Sequence, residues 1–190
     1  DNQIKSASDL FPKVGIAVTI HKNCTPFLST THVVPPAVTL GMGCRKNKEA
    51  GAVEKAMFAS LEKNQIYPQA VSCLASIDIK KEEPGFLALA EKMGIPFETF
   101  SSEELLAVKG EFTASSFVSR TVGVDNVCER SALKAAQDRI CLNTGRIPER
   151  NQTKPGTRRG GEHCRLIQRK QAADGVTAAL VLADWRIHFE

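Results

Sequence analysis

The sequence predicts an α/β fold, a three-layer α/β/α sandwich built on a mainly parallel sheet. Three observations predict it. Short apolar runs alternate along the chain with longer amphipathic stretches, the order expected of strands joined through helices. Within residues 40–64, LGMGCRKNKEAGAVEKAMFASLEKN, an apolar lead stops at a glycine turn and opens into a helical pattern. Finally, 190 residues with 42% hydrophobic and 24% charged content suffice for one sizeable core and a small appendage.

Taken in order, residues 14–20 are apolar enough for a strand, and Pro35-Pro36 separates them from a second strand at 38–41. The helix that follows carries Val53, Ala56, Met57, Ser60 and Leu61 on one face at three- and four-residue spacing. Residues 69–79 contain a third strand over Ala70-Val71-Ser72-Cys73-Leu74-Ala75, then KKEEPG, then a helix over 86–93 with Gly94 where a C-cap belongs. PFETF, at 96–100, reads as a short strand. Ser101 is an N-cap followed by acids in a first helical turn. Residues 128–143 read as a helix and 175–182 as a closing apolar strand. Between them, residues 146–169 mix Arg, Lys, Pro and Gly with no hydrophobic periodicity before Leu166. They are expected to form a loop, with a mobile excursion over 146–165.

In such a sheet, ligands collect beyond the carboxyl ends of the strands. The predicted turn Gly41-Met42-Gly43-Cys44-Arg45-Lys46 falls there. Its glycines let the backbone bend, Gly43 being expected in a conformation that other residues resist or at a close approach to a ligand. N–H groups at a helix start lack intrahelical acceptors, so with Arg45 and Lys46 beside them they form a candidate site for a carboxylate or phosphate. No Gly-Lys-Ser or Gly-Lys-Thr follows, which excludes the nucleotide P-loop, and only Gly41 and Gly43 fit the dinucleotide spacing. A thiol at a helix start beside Arg45 would have a lowered pKa, which makes Cys44 a candidate nucleophile. With no histidine close in sequence, packing is its commoner use.

Composition excludes several classes. No apolar run reaches the roughly eighteen residues of a membrane span, and DNQIKSASD lacks a secretory signal's layout, so the expectation is a cytoplasmic protein. Six cysteines, at 24, 44, 73, 128, 141 and 164, are scattered without a Cys-x-x-Cys pair and read as reduced thiols. His163-Cys164 has no second pair at metal spacing, so no metal site is expected. The net charge of +4 is mild, and the basic stretch 146–169 lacks aromatic residues for base stacking, which argues against a nucleic-acid partner.

Three segments in a fixed order carry a family resemblance: GMGCRK at 41–46, LASIDIKKEEPGFLALAEKMGIPFETFSSEEL at 74–105 and SSFVSRTVGVDNVCERSALKAA at 115–136. The closing LIQRKQAADGVTAALVLADW at 166–185 completes the set. Together, over residues 33–141 and 165–185, they resemble the C-terminal domain of the cobalamin biosynthesis protein CbiG, a domain shared with the smaller CobE. On this resemblance residues 1–32 correspond to the end of the CbiG middle region. Residues 33–190 then form the CobE/CbiG C-terminal-like domain, with a loop inserted at about 143–165. The resemblance implies a place in the anaerobic corrin pathway. The activity it implies is that of a cobalt-precorrin-5A hydrolase, which opens a δ-lactone and releases acetaldehyde, or of the C-terminal domain of one. A noncatalytic, CobE-like binding or accessory protein is the alternative. No cofactor is expected, the cobalt arriving with the substrate. The expected partners are a cobalt-corrin intermediate and other enzymes of the pathway, with neither nucleic acid nor membrane among them.

A corrin intermediate bears many carboxylates around a broad apolar ring. The expected substrate-binding set is therefore Gly41, Gly43, Cys44, Arg45, Lys46, Ser76, Lys80, Lys81, Ser115, Ser116, Arg120 and Lys170. Lactone opening also needs a base to activate water and positive or N–H groups for the oxyanion. Glu129 in VDNVCE and Asp78 in SIDIKK are the candidate bases. Each has a plainer reading. Glu129 suits the first turn of a helix, and Asp78 suits pairing with Lys80 or Lys81 and capping the next helix. His32, the histidine nearest a motif, reads as a strand-edge residue.

Overall fold

The computed structural model describes residues 13–113, 124–144 and 164–184. Two sheets are present among them. A parallel ribbon pairs β1 (Val14–Val18) with β2 (Ser29–Val33), Ile16 opposite Thr31. The main sheet has five strands, β3 (Val38–Cys44), β4 (Val71–Ile77), β5 (Phe97–Phe100), β6 (Cys164–Ala173) and β7 (Val176–Ala183), in the order β5-β4-β3-β7-β6. β3, β4 and β5 run parallel. β7 lies antiparallel to both β3 and β6, so four of the five strands share a direction and the sheet is mixed.

Helices cover both faces. α1 (Ala50–Lys63) and α2 (Pro84–Met93) supply the crossovers that parallel neighbours require. They bury Val53, Met57, Leu61, Phe86 and Leu89 against Leu40, Met42, Leu74 and Leu180. Full burial of each such side chain contributes about 1.5–3 kcal/mol. On the other face α3 (Ser102–Ala107) and α4 (Val127–Thr144) meet Cys73, Ala75, Ile77 and Val181 through Leu105, Val127, Ala132, Ala135 and Ala136. The split follows from strand parity, since successive side chains of β3 and β4 point to opposite faces.

Local chemistry sets the boundaries. Pro84 opens α2 at a position whose N–H needs no partner, and Gly94 closes it in the left-handed region at φ 64°. Ser101 and Glu104 close a reciprocal capping box on α3. Asp174 and Gly175, at φ 55° and 72°, make the two-residue turn between β6 and β7, the mirror-image turn that Asp-Gly favours.

Three expectations are corrected. Gly41 and Gly43 belong to no turn: β3 runs through both to Cys44, and neither has a positive φ. α1 begins only at Ala50, so N–H groups at 41–45 are not a helix start. The Arg45 N–H instead donates to the Gly175 carbonyl at 3.2 Å. Residues 164–169, expected in a loop, form β6, whose two register shifts against β7 had erased its alternation. Residue 143, read as the end of a helix, lies in α4, which runs on to Thr144. Of the insertion expected at about 143–165, residues 145–163 lie outside the described residues, as do 1–12.

Candidate functional site

The chain leaves β3 for β4 by way of α1 on one face and returns along the other face through α4 to β6 and β7. β3 is thus where the winding reverses, and the crevice beyond its carboxyl end is where such sheets take ligands. Two clusters of polar side chains meet there.

The first joins the β3–α1 and β4–α2 connections. Glu83, buried, accepts the Lys80 ammonium at 2.8 Å and the Lys48 N–H at 3.0 Å. Burial alone would push its carboxyl up. The Lys80 hydrogen bond and the N–H groups of Lys48 and Asn47 outweigh that and hold it below the usual carboxylate range. Lys80 also lies beside the Cys44 thiol. Burial nevertheless raises the Cys44 pKa, which weakens the nucleophile reading that a helix start would have supported. Arg45, Lys46 and Lys81 are exposed at the rim, and none of them joins an ion pair among the described residues. Asp78, also exposed, opens the single 3₁₀ turn that follows β4. Ser76 is fully buried and donates its hydroxyl to the Met42 carbonyl at 2.8 Å, tying β4 to β3.

The second cluster surrounds the first turn of α4. Asn126 caps it, its Oδ1 accepting the Glu129 N–H at 2.9 Å. Its Nδ2 donates to the Thr113 carbonyl at 2.9 Å. Glu129 is fully buried, with one carboxylate oxygen accepting the Thr113 N–H at 3.1 Å and the other the Lys170 N–H at 2.6 Å. Lys170 itself is half-buried on β6. Thr177 donates to the Gly43 carbonyl at 3.2 Å and lies beside the Cys128 thiol, which burial pushes up to about 12. Iodoacetamide near neutral pH should therefore leave Cys128 unmodified until the protein is unfolded, as peptide mass mapping would show.

Of the residues singled out in the sequence, Cys44, Arg45, Lys46, Asp78, Lys80 and Lys81 thus gather on the two connections, and Gly43, Glu129 and Lys170 meet around α4. Ser76 faces the neighbouring strand rather than the crevice. Gly41 lies under α4: a Cβ there would overlap the Cys128 carbonyl oxygen and come within 2.8 Å of the Ala132 Cβ. Ser115, Ser116 and Arg120 lie outside the described residues. His32 is engaged elsewhere, its Nε2 donating to the Cys24 carbonyl at 2.7 Å and its Nδ1 accepting from the Tyr67 hydroxyl at 3.1 Å, the tautomer being assigned from these partners.

Sequence reading missed Glu83, Asn126 and Thr177. Asn126-x-x-Glu129 is a capping signature and could have been found. Nothing in KKEEP marks Glu83 over Glu82, because only the packed connections single it out.

Comparison with known proteins adds family to geometry. Residues 38–181 match the family model described as cobalamin synthesis G C-terminus. The cobalt-precorrin-5A hydrolase of Salmonella typhimurium (strain LT2) is 33% identical over 125 residues, covering 65% of this chain and 36% of that protein. The cobalt-precorrin-5A hydrolase of Priestia megaterium is 30% identical over 99 residues, covering 52% and 26%. The chain thus matches little more than a third of the first relative's length. Among solved structures, CobE, a protein from the cobalamin (vitamin B12) biosynthetic pathway, superposes with a TM-score of 0.62 at 23% identity, over 77% of this chain and 89% of that one. A putative cobalamin biosynthesis protein G homolog from Sulfolobus solfataricus gives 0.55 at 18% identity, over 90% and 44%. Both share the fold.

Proposed function

Because this chain belongs to the cobalamin synthesis G C-terminal family, we propose that it binds a cobalt-corrin intermediate as the C-terminal part of a cobalt-precorrin-5A hydrolase. The observation that carries the reading is the rim at the carboxyl edge of β3 and β4, where Arg45, Lys46 and Lys81 are exposed and unpaired among the described residues. Cations without carboxylate partners, beside the reversal of the sheet, suit a ligand that brings its own carboxylates. Lys80 and Lys170 extend the same charge inward, and Ser115, Ser116 and Arg120 are proposed to join it. The cobalt belongs to the substrate, and no cofactor of the protein's own enters the proposal. Opening a δ-lactone requires water to be activated and the oxyanion to be stabilised. Asp78 reaches solvent beside this rim, which supports it as the proposed base. Free thiols at Cys24, Cys44, Cys73, Cys128 and Cys164 favour the cytoplasm as location. Among the described residues no helix is long and apolar enough to cross a membrane. Other enzymes of the corrin pathway are proposed partners, and nucleic acid is not.

A second reading has its own support. The fold is shared with CobE, a protein from the cobalamin biosynthetic pathway, at a TM-score of 0.62, and a corrin-binding accessory protein is the alternative. Incubation with cobalt-precorrin-5A and assay of acetaldehyde separates the two: release supports the hydrolase, and binding without release supports the accessory protein.

Arg45→Ala should fold normally, since the side chain is exposed, and should bind a polycarboxylate tetrapyrrole roughly tenfold to a hundredfold more weakly. Absorbance titration at low and high salt checks this, the loss shrinking as salt screens the rim. Unchanged affinity in the folded variant would remove the β3 connection from the site.

A further inference from the structure

We infer that Glu129 is a positioning residue: by holding the backbone N–H groups of Thr113 and Lys170 together, it fixes how β6 presents Lys170 to an anionic ligand. The inference rests on the reading that the carboxyl edge of the sheet binds a polycarboxylate. Glu129 is fully buried and both its oxygens are engaged with backbone donors, at 3.1 and 2.6 Å. A general base must reach the proton it takes, and this carboxylate is turned into the protein.

In α3 the N3 acid, Glu104, folds back on its own cap, its Oε2 accepting the Ser101 N–H at 2.8 Å. Glu129 occupies the same helical position after Asn126, yet its oxygens reach two segments distant in sequence. Asn126 and Arg130 secure one of these from the same turn of α4. Asn126 donates to the Thr113 carbonyl, while Arg130 donates to the carbonyls of Leu105 and Val108 at 3.2 and 2.8 Å and stacks over Phe112 at 4.1 Å. The loop through 108–113 would stay docked without Glu129. The other segment, β6, is also held by Arg169, which donates to the Glu111 carbonyl at 3.2 Å, and by Gln168, which donates to Ser60 and accepts from Asn64, but these ties precede Lys170, whose own N–H goes to Glu129. The register of β6 against β7 shifts between Gln168 and Gln171, with Gln168 opposite Leu180 and Gln171 opposite Ala178. Lys170 sits in that irregularity, where a bulge re-aims the chain and its N–H goes to Glu129 rather than to β7. What Glu129 adds is therefore the orientation of Lys170.

The test uses the whole chain and a porphyrin octacarboxylate as probe. Affinity is measured for Glu129→Gln, Lys170→Ala and the double variant, together with thermal melts and amide hydrogen exchange at Thr113 and Lys170. Glu129→Gln keeps the shape but sets an NH₂ against one N–H. It should lose affinity roughly tenfold, as Lys170→Ala should. The double variant should be no weaker than either alone, the mark of two residues acting as one. Both amides should exchange faster in Glu129→Gln. Glu129→Asp, too short to span the two donors, reads the same coupling if Glu129→Gln does not fold. Additive losses, or amides that stay protected, would overturn the inference. So would Glu129→Gln that binds at full strength while losing acetaldehyde release from cobalt-precorrin-5A, since that is how a base behaves. Unchanged affinity in Lys170→Ala overturns the presentation of Lys170. Unchanged affinity in Arg45→Ala as well places the failure in the binding reading beneath it.

Discussion

Gly41→Ala is expected to abolish the native fold or leave it barely populated at 25 °C. The single added carbon would overlap the carbonyl oxygen of Cys128 and meet the Ala132 N at 2.9 Å and its Cβ at 2.8 Å. Two of these three obstacles are backbone atoms of α4, so no side-chain rotation relieves them. α4 would have to lift from β3, and it packs there against β3, β4 and β7 through Ala132, Ala135 and Ala136. Exposing that face forfeits more than about 4 kcal/mol, a large share of the 5–15 kcal/mol that holds a domain together. Chemical denaturation followed by circular dichroism checks this. Gly43→Ala is the control, because its new Cβ would meet only the Thr177 hydroxyl, at 2.9 Å. That side chain can rotate, so a loss of about 1 kcal/mol is expected. Equal losses at both positions would mean that α4 does not lean on Gly41 as described.

Lys80→Met is the second large effect. The Lys80–Glu83 pair has side-chain exposures of 12% and 4%, so removing the ammonium leaves a carboxylate buried with backbone donors alone. Breaking a buried pair from one side costs about 3–5 kcal/mol. The pH dependence has a definite sign. In the wild type the folded-state pKa of Glu83 is depressed. Its contribution is therefore complete above the unfolded carboxylate value, about 4.3, and is lost as pH falls through the folded value. In Lys80→Met the buried carboxyl can be relieved by taking up a proton. The gap in stability between wild type and variant should thus be widest near pH 7 and close as pH drops below about 4. Thermal melts across that range read it directly. A gap constant down to pH 3 would assign the role of Lys80 to packing of its methylenes.

The alternation of apolar strands and amphipathic helices was enough to place β1, β3, β4, β5, β7 and the four α-helices of the described residues to within a few residues. Such patterns are legible because strand and helix periodicity are local properties of the chain. β2 escaped because STTHV is polar and only half-shielded, so no apolar face announced it. β6 escaped because its two register shifts break the period of two. At the candidate site, the ordered motifs pointed to the carboxyl edge of β3 and β4 but misjudged what its glycines do. A glycine before a cationic stretch looks the same in sequence whether it turns toward a ligand or makes room for a helix.

The α/β class, the family and the band of cations after β3 and β4 are written in residue type and spacing along the chain. The tertiary structure decided partners. It alone selected Glu83 over Glu82 for the buried pair, drew Glu129 into the backbone of Thr113 and Lys170, and placed Gly41 beneath Cys128. These contacts join residues far apart in the chain, and whether a carboxylate is buried, paired or exposed depends on which segments the fold brings against it.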